Sequence, residues 1–177
     1  MAQTTWVVDK MHSEVQFKVK HLVISTVTGS FTSFSGQTFT EGDQFEGAQV
    51  EFTIDVNSVF TGQTDRDEHL KASDFFEAAT YPQITFVSTS FTKTKGDVYK
   101  LVGNLTMKGV TKEVEFEAEY GGTEKDQYGN TKVGFEVTGT VNRKEFGMAF
   151  NSLTETGGLA LGENIKVIAN VQLAKQA

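Results

Sequence analysis

The sequence predicts an all-β fold, an extended eight-stranded antiparallel up-and-down barrel with a short helical segment closing one mouth. Three observations carry this. Apolar residues alternate with polar ones along stretch after stretch: Val15, Phe17 and Val19 against Glu14, Gln16, Lys18 and Lys20, then Val50, Phe52 and Ile54 against Gln49, Glu51, Thr53 and Asp55. A period of two marks strands with one buried and one wet face. The connections are short, as in Lys95-Gly96-Asp97 and Lys108-Gly109-Val110-Thr111, which suits antiparallel neighbours. Too little helix is available to cover the apolar faces, so the sheet must curl on itself or pair with another.

Alternation, punctuated by Gly, Asn and Asp, places strands at 4–9, 13–20, 27–39, 48–56, 83–91, 98–107, 112–121, 132–142 and 163–173. The row Glu113, Glu115, Glu117 and Glu119 alternates with Val114, Phe116, Ala118 and Tyr120 and reads as a solvated outer face. Residues 22–26 interrupt the rhythm and are expected to form a helical turn. Between Asn57 and Pro82 the pattern breaks again. There Thr64-x-x-Asp67 and Asp74-x-x-Glu77 have the form of capping boxes, and two short helices are expected. Pro82, the only proline, cannot donate to a ladder and marks the return to a strand.

At 177 residues the chain, 1–177, fits a single domain with room for a substantial core. The formal net charge of -7 and the lack of a basic, aromatic-studded stripe argue against a nucleic-acid partner. Cysteine is absent, so disulfides and thiolate chemistry are excluded. No apolar run approaches the roughly 20 residues of a spanning helix, so stable membrane insertion is not expected. Met1-Ala2-Gln3-Thr4-Thr5 runs into Trp6-Val7-Val8 with no charged n-region and no long apolar h-region. Read as it stands, the chain is expected in the cytoplasm; a leader already removed would make it periplasmic.

Catalysis and metal binding find little support. Asp9, His12 and Ser13 are the raw material of a triad, but neighbours on a strand face opposite ways and no G-x-S-x-G elbow occurs. His12 and His21 are an odd number apart, there is no H-E-x-x-H, and no metal site is expected. No acidic cluster of the DDxxD kind suits an isoprenoid-processing enzyme. An eight-stranded barrel can be filled by its own side chains or hold one small ligand. Long strands and a helical segment placed over one mouth favour a cavity.

The punctuating residues resemble the YceI-like family, described as polyisoprenoid-binding, from Trp6 to about Leu173. The resemblance rests on Trp6-x-x-Asp9 followed by His12-Ser13-x-Val15-x-Phe17-x-Val19-x-His21-Leu22, and on Gly29-x-Phe31-x-x-Phe34-x-Gly36. It continues through Thr61-Gly62 with Arg66-Asp67-x-His69-Leu70-Lys71-x-x-Asp74-Phe75-Phe76, and Tyr81-Pro82-x-Ile84-Thr85-Phe86. Gly103-x-Leu105-Thr106-Met107-Lys108-Gly109 and Arg143-Lys144-Glu145-Phe146-Gly147-Met148 complete it. It implies a lipocalin-like barrel whose lumen takes a long isoprenoid or other lipid chain, frequent homodimers and no catalytic activity.

The function expected is therefore non-enzymatic binding, sequestration or transport of an isoprenoid, quinone-like or fatty lipid, with no cofactor besides that ligand. The expected lumen wall is Phe17, Val19, Phe31, Val50, Phe52, Ile54, Phe86, Leu101, Leu105, Phe116, Phe135 and Val167. Arg66, Asp67, His69, Asp74, Phe75, Phe76 and Arg143 are expected at the mouth. There Arg66 or Arg143 would pair with Asp67 or Asp74 to lock the helical segment, or else meet a phosphorylated head group. The alternative is a stress-response or structural interaction domain with a solid core and a protein partner.

Overall fold

The computed structural model describes residues 2–22, 24–148 and 161–176. Its strands are β1 (Gln3–Val8), β2 (Glu14–His21), β3 (Ser25–Phe31), β4 (Phe34–Glu41), β5 (Gln44–Asp55), β6 (Val59–Phe60), β7 (Gln83–Lys95), β8 (Val98–Met107), β9 (Val110–Lys125), β10 (Thr131–Asn142) and β11 (Asn164–Lys175). One α-helix, α1 (Thr64–Leu70), lies between β6 and β7. β1 pairs with β4 on one side and β11 on the other, which closes the sheet. β1 and β2 run end to end along β11, and β3 and β4 run end to end along β2 and β1. Each pair is one bent stave, so the wall is a closed barrel of eight antiparallel staves in sequence order.

Both bends have visible causes. In the first stave Asp9 starts a 3-10 turn over Lys10–His12 by accepting from the Met11 N–H (3.1 Å). The ladder bond lost at the turn is replaced by the Ser13 hydroxyl, which accepts the Gln172 N–H at 2.9 Å. Ser13 is buried and occupied in this way, so the Asp9, His12, Ser13 trio is a splice in the wall. In the second stave, read from sequence as one strand over 27–39, the chain breaks at Thr32 and Ser33. β4 stays on β5 while β3 turns to the two-residue β6, with Asp55 N–H donating to the Ser33 carbonyl at 2.9 Å.

That divergence admits the 56–82 segment. Only its first part is helical. Gln63 is the N-cap without a side-chain bond, and Thr64 already belongs to the helix. Asp67 turns instead to Thr61, accepting from its N–H (2.8 Å) and hydroxyl (2.5 Å). The second expected helix is absent: 71–80 is a chain of turns, and Asp74 pairs with His69 (3.0 Å). A capping box needs its own first turn to cap, and here Asp67 is spent on the loop at Thr61 and Asp74 on His69 of α1. Of the helical turn expected over 22–26, Val23 lies outside the described residues; Leu22 and Ile24 are turn residues between β2 and β3, and Ser25 and Thr26 already belong to β3. β7 begins directly after Pro82, whose carbonyl accepts the Val56 N–H (2.9 Å).

The interior is filled unevenly. At the end holding the 42–43, 96–97 and 126–130 turns, rings interlock: Trp6 with Phe45 (5.1 Å), Phe45 with Phe135 (5.1 Å), Phe91 with Tyr99 (4.8 Å) and Tyr120 with Phe135 (5.7 Å). The Trp6 indole N–H donates to Thr40 Oγ1 at 3.0 Å, so even the polar edge is satisfied. This is a plug. The other end is bounded by α1, the turns after it and residues 143–148 and 161–163.

Candidate functional site

Above the plug the inward side chains stop meeting in the middle. Four of the large rings lie against the wall because glycine sits beside them. Phe17 lies over Gly29, its direct cross-strand partner, Phe52 over Gly36, Phe86 over Gly103 and Phe116 over Gly139. A Cβ on Gly36 would fall 2.7 Å from the Phe52 ring, and one on Gly103 2.5 Å from the Phe86 ring, so any other residue would push those rings inward. A ring laid flat buries its face on the sheet and leaves the axis vacant.

The result is a cavity of about 420 Å³. All twelve expected lumen residues line it, joined by Val8, Val15, Ile84, Val137, Ala169 and Val171. Many of these inward residues, Phe17, Val50, Phe52, Ile54, Val137, Val167, Ala169 and Val171 among them, are only half-buried although they face the barrel axis. In a close-packed core they would be dry. The interior is therefore hollow, and the solid-core alternative does not describe it.

Of the mouth residues, Arg66, His69, Phe75, Phe76 and Arg143 line the cavity, whereas Asp67 and Asp74 do not. Phe76 packs edge-on against Phe31 (5.8 Å), and Phe75 meets the His69 ring at 5.1 Å, so the segment after α1 contributes apolar surface to this end. The expected arginine–aspartate lock is corrected. Arg66 donates through Nε to Thr61 Oγ1 (2.8 Å) and through Nη2 to the Thr61 carbonyl (2.7 Å), while Asp67 accepts from that same threonine. Thr61 is the hub between them.

Arg143 pairs with neither aspartate. It is 2% exposed and donates to the backbone carbonyls of Gly162 (Nε, 2.8 Å), Met148 (Nη1, 2.6 Å) and Leu161 (Nη2, 3.2 Å). A guanidinium's planar fork suits convergent carbonyls, and this one ties both ends of the 148–162 connection to β10. Burial pulls its pKa below the ordinary guanidinium value, an effect the Glu163 carboxylate opposes.

No catalytic or metal geometry emerges among the described residues. His12 Nδ1 meets Asp9 Oδ2 at 2.8 Å, and Asp9 also accepts from Lys132 Nζ at 2.5 Å. The Lys132 bond is the main reason the Asp9 carboxyl titrates at about 2, with His12 adding to it against some desolvation. No group of three or more metal-ligating side chains is found among the described residues, and none of their helices is long and apolar enough to cross a membrane. Sequence reasoning missed the plug and the ring-on-glycine pairs. The signal existed, since glycine inside an otherwise regular strand marks a close approach.

Fold and site together define a class: closed antiparallel barrels with a hollow apolar lumen. The chain belongs to the YceI-like domain family, whose model matches residues 6–173. It is 37% identical over 172 residues to a UPF0312 protein of Staphylococcus aureus (strain USA300), covering 97% of this chain and 98% of that one. Among solved structures, a Campylobacter jejuni YceI protein superposes with a TM-score of 0.77 at 33% identity, covering 90% of this chain and 91% of the other. The fold is shared with Burkholderia cenocepacia BcnA (TM-score 0.81, 24% identity, 93% and 98% covered). It is shared too with a polyisoprenoid binding domain from Saccharophagus degradans (TM-score 0.73, 16% identity, 97% and 98% covered).

Proposed function

We propose that the barrel binds one long isoprenoid, quinone-like or fatty chain in its lumen and sequesters or carries it without chemical change. The observation that supports this is the apolar cavity of about 420 Å³, within the roughly 300–1,000 Å³ of small-molecule sites. Its wall is almost entirely hydrocarbon and aromatic ring, so water inside gains little and a lipid tail gains much. Each buried methylene contributes about 0.8 kcal/mol, and ten of them roughly 8 kcal/mol before association costs. The description of the S. degradans domain points to the same ligand class.

A tail held in such a wall is selected by length and bulk, because one methylene discriminates by only about 1–3 kcal/mol. Polar groups lie at the α1 end, so the head group belongs there. Arg66 and His69 are better placed to meet it than Arg143, whose guanidinium serves backbone carbonyls. Among the described residues, nothing in the lumen resembles a nucleophile with its base, which is why binding is preferred to catalysis.

Solvent extraction of protein purified under native conditions, followed by lipid mass spectrometry, tests the reading. A prenyl, quinone or acyl lipid is expected in near-stoichiometric amount. Extraction that yields none, together with no uptake from a panel of prenyl lipids, would refute it.

A further inference from the structure

The outer surface around the β2–β3 hairpin differs from the rest of this acidic protein. Phe17 and Val19 face the lumen, so the alternate residues Lys18 and Lys20 face out. Lys18 stands directly opposite Lys166 on β11, and the remaining cross-strand partners of these three lysines are Thr26, Thr28 and Thr140. Among the described residues none of the three lysines has an ion pair. Like charges placed directly opposite each other cost stability. With 23 acidic side chains against 16 basic ones, three lysines with no acidic cross-strand partner are a marked segregation.

The same end is apolar at its tip. Ile24 is 88% exposed and Leu22 44%. Leu22 holds φ 54°, a left-handed turn position that glycine or asparagine occupies at lower cost, so its apolar side chain is not a by-product of turn chemistry. The Ser25 hydroxyl donates to the His21 carbonyl (2.9 Å) at the base of the hairpin. His21 and Val27, just below it, line the cavity.

We propose that this end of the barrel docks peripherally on an anionic lipid bilayer. Leu22 and Ile24 dip into the interface, and Lys18, Lys20 and Lys166 lie over the head-group phosphates. An apolar tip flanked by lysines matches the profile of a charged bilayer, where hydrocarbon lies beneath a layer of negative charge. A symmetric second copy fits less well, because a two-fold contact brings the lysine patch against itself. Docking here sets the α1 end of the lumen beside the membrane. The surface acts whether or not the lumen is filled, so it goes beyond the lumen reading and does not depend on it.

The test is co-sedimentation of the intact protein with vesicles of phosphatidylglycerol and phosphatidylcholine, and with phosphatidylcholine alone, with luminal lipid measured on the same samples. Binding is expected to the anionic vesicles and to weaken steeply in high salt. Replacing Lys18, Lys20 and Lys166 together by Gln should weaken it roughly hundredfold, about five-fold per lysine, or ~1 kcal/mol each. Ile24→Asp should weaken it at least about tenfold with an unchanged Tm, since the side chain supports no core. Absent binding to anionic vesicles, or binding indifferent to both variants, overturns the proposal. So does a dimer that Ile24→Asp converts to monomer without vesicle affinity, which would assign the surface to a second copy. Normal luminal lipid without vesicle binding overturns docking and leaves the lumen reading standing; vesicle binding without luminal lipid does the reverse.

Discussion

Glycine 29 decides what the Phe17 ring can do. With hydrogen in place of Cβ, the ring lies flat on the neighbouring strand and the lumen stays vacant at that level. Gly29→Ala is expected to cost about 1–3 kcal/mol in chemical denaturation, because the ring must leave its seat. Adding Phe17→Leu should recover much of that loss, and a double-mutant cycle with no coupling would contradict the pairing. Asp9 carries a different prediction. Its folded carboxyl titrates at about 2 against an ordinary 3.8, so its bond to Lys132 stabilises the fold fully above about pH 4 and is lost as the pH falls toward 2. Asp9→Asn should therefore lower stability at pH 7 by roughly 1–2 kcal/mol and make little difference near pH 2, read as Tm against pH. The alternation of Phe17 with its neighbours was legible in the sequence, and so was its inward face. Its flat posture was not, because that depends on which residue stands opposite, and register is set by turns and kinks far along the chain.

At the scale of elements, the sequence marks strands well and the mouth poorly. β8 and β10 are half-buried and close to the expected limits, since period two is enforced by burial on one face. The 56–82 segment shows the opposite case. Its Thr64-x-x-Asp67 and Asp74-x-x-Glu77 patterns describe helix starts, yet Asp67 binds back to Thr61 and Asp74 binds His69. Short polar side chains choose between a helix cap and a loop bond on tertiary grounds, which local pattern does not encode. The 27–39 stretch looked continuous for a related reason: Thr32 and Ser33 are ordinary strand residues, and only the rival claims of β5 and β6 pull the two halves apart. Arg143 is the residue whose role the structure changes most. Arg143→Met should destabilise the protein by at least about 3 kcal/mol without any ligand, because three carbonyls lose a charged donor. An intact Tm with weakened binding of phosphorylated lipid alone would return the residue to a head-group role.

For the whole molecule, the account turns on the contrast between a plugged end and a hollow one. Both alanines line the cavity, but Ala118 is 1% exposed and stands across from Tyr99, one of the plug rings, whereas Ala169 is half-buried. The barrel architecture followed from composition and alternation, but hollowness did not, since the same inward phenylalanines fill a barrel when they point at its axis and empty it when they lie along the wall. Indole added at the two alanines separates these regimes. Ala118→Trp should overpack the plug and cost about 1–3 kcal/mol, while Ala169→Trp should leave Tm nearly unchanged. Native mass spectrometry with a long-chain prenyl alcohol then tests the central claim most directly. The account predicts one lipid per barrel in the wild type and a sharp loss of occupancy in Ala169→Trp; no bound lipid in the wild type, or equal occupancy in both, would contradict it.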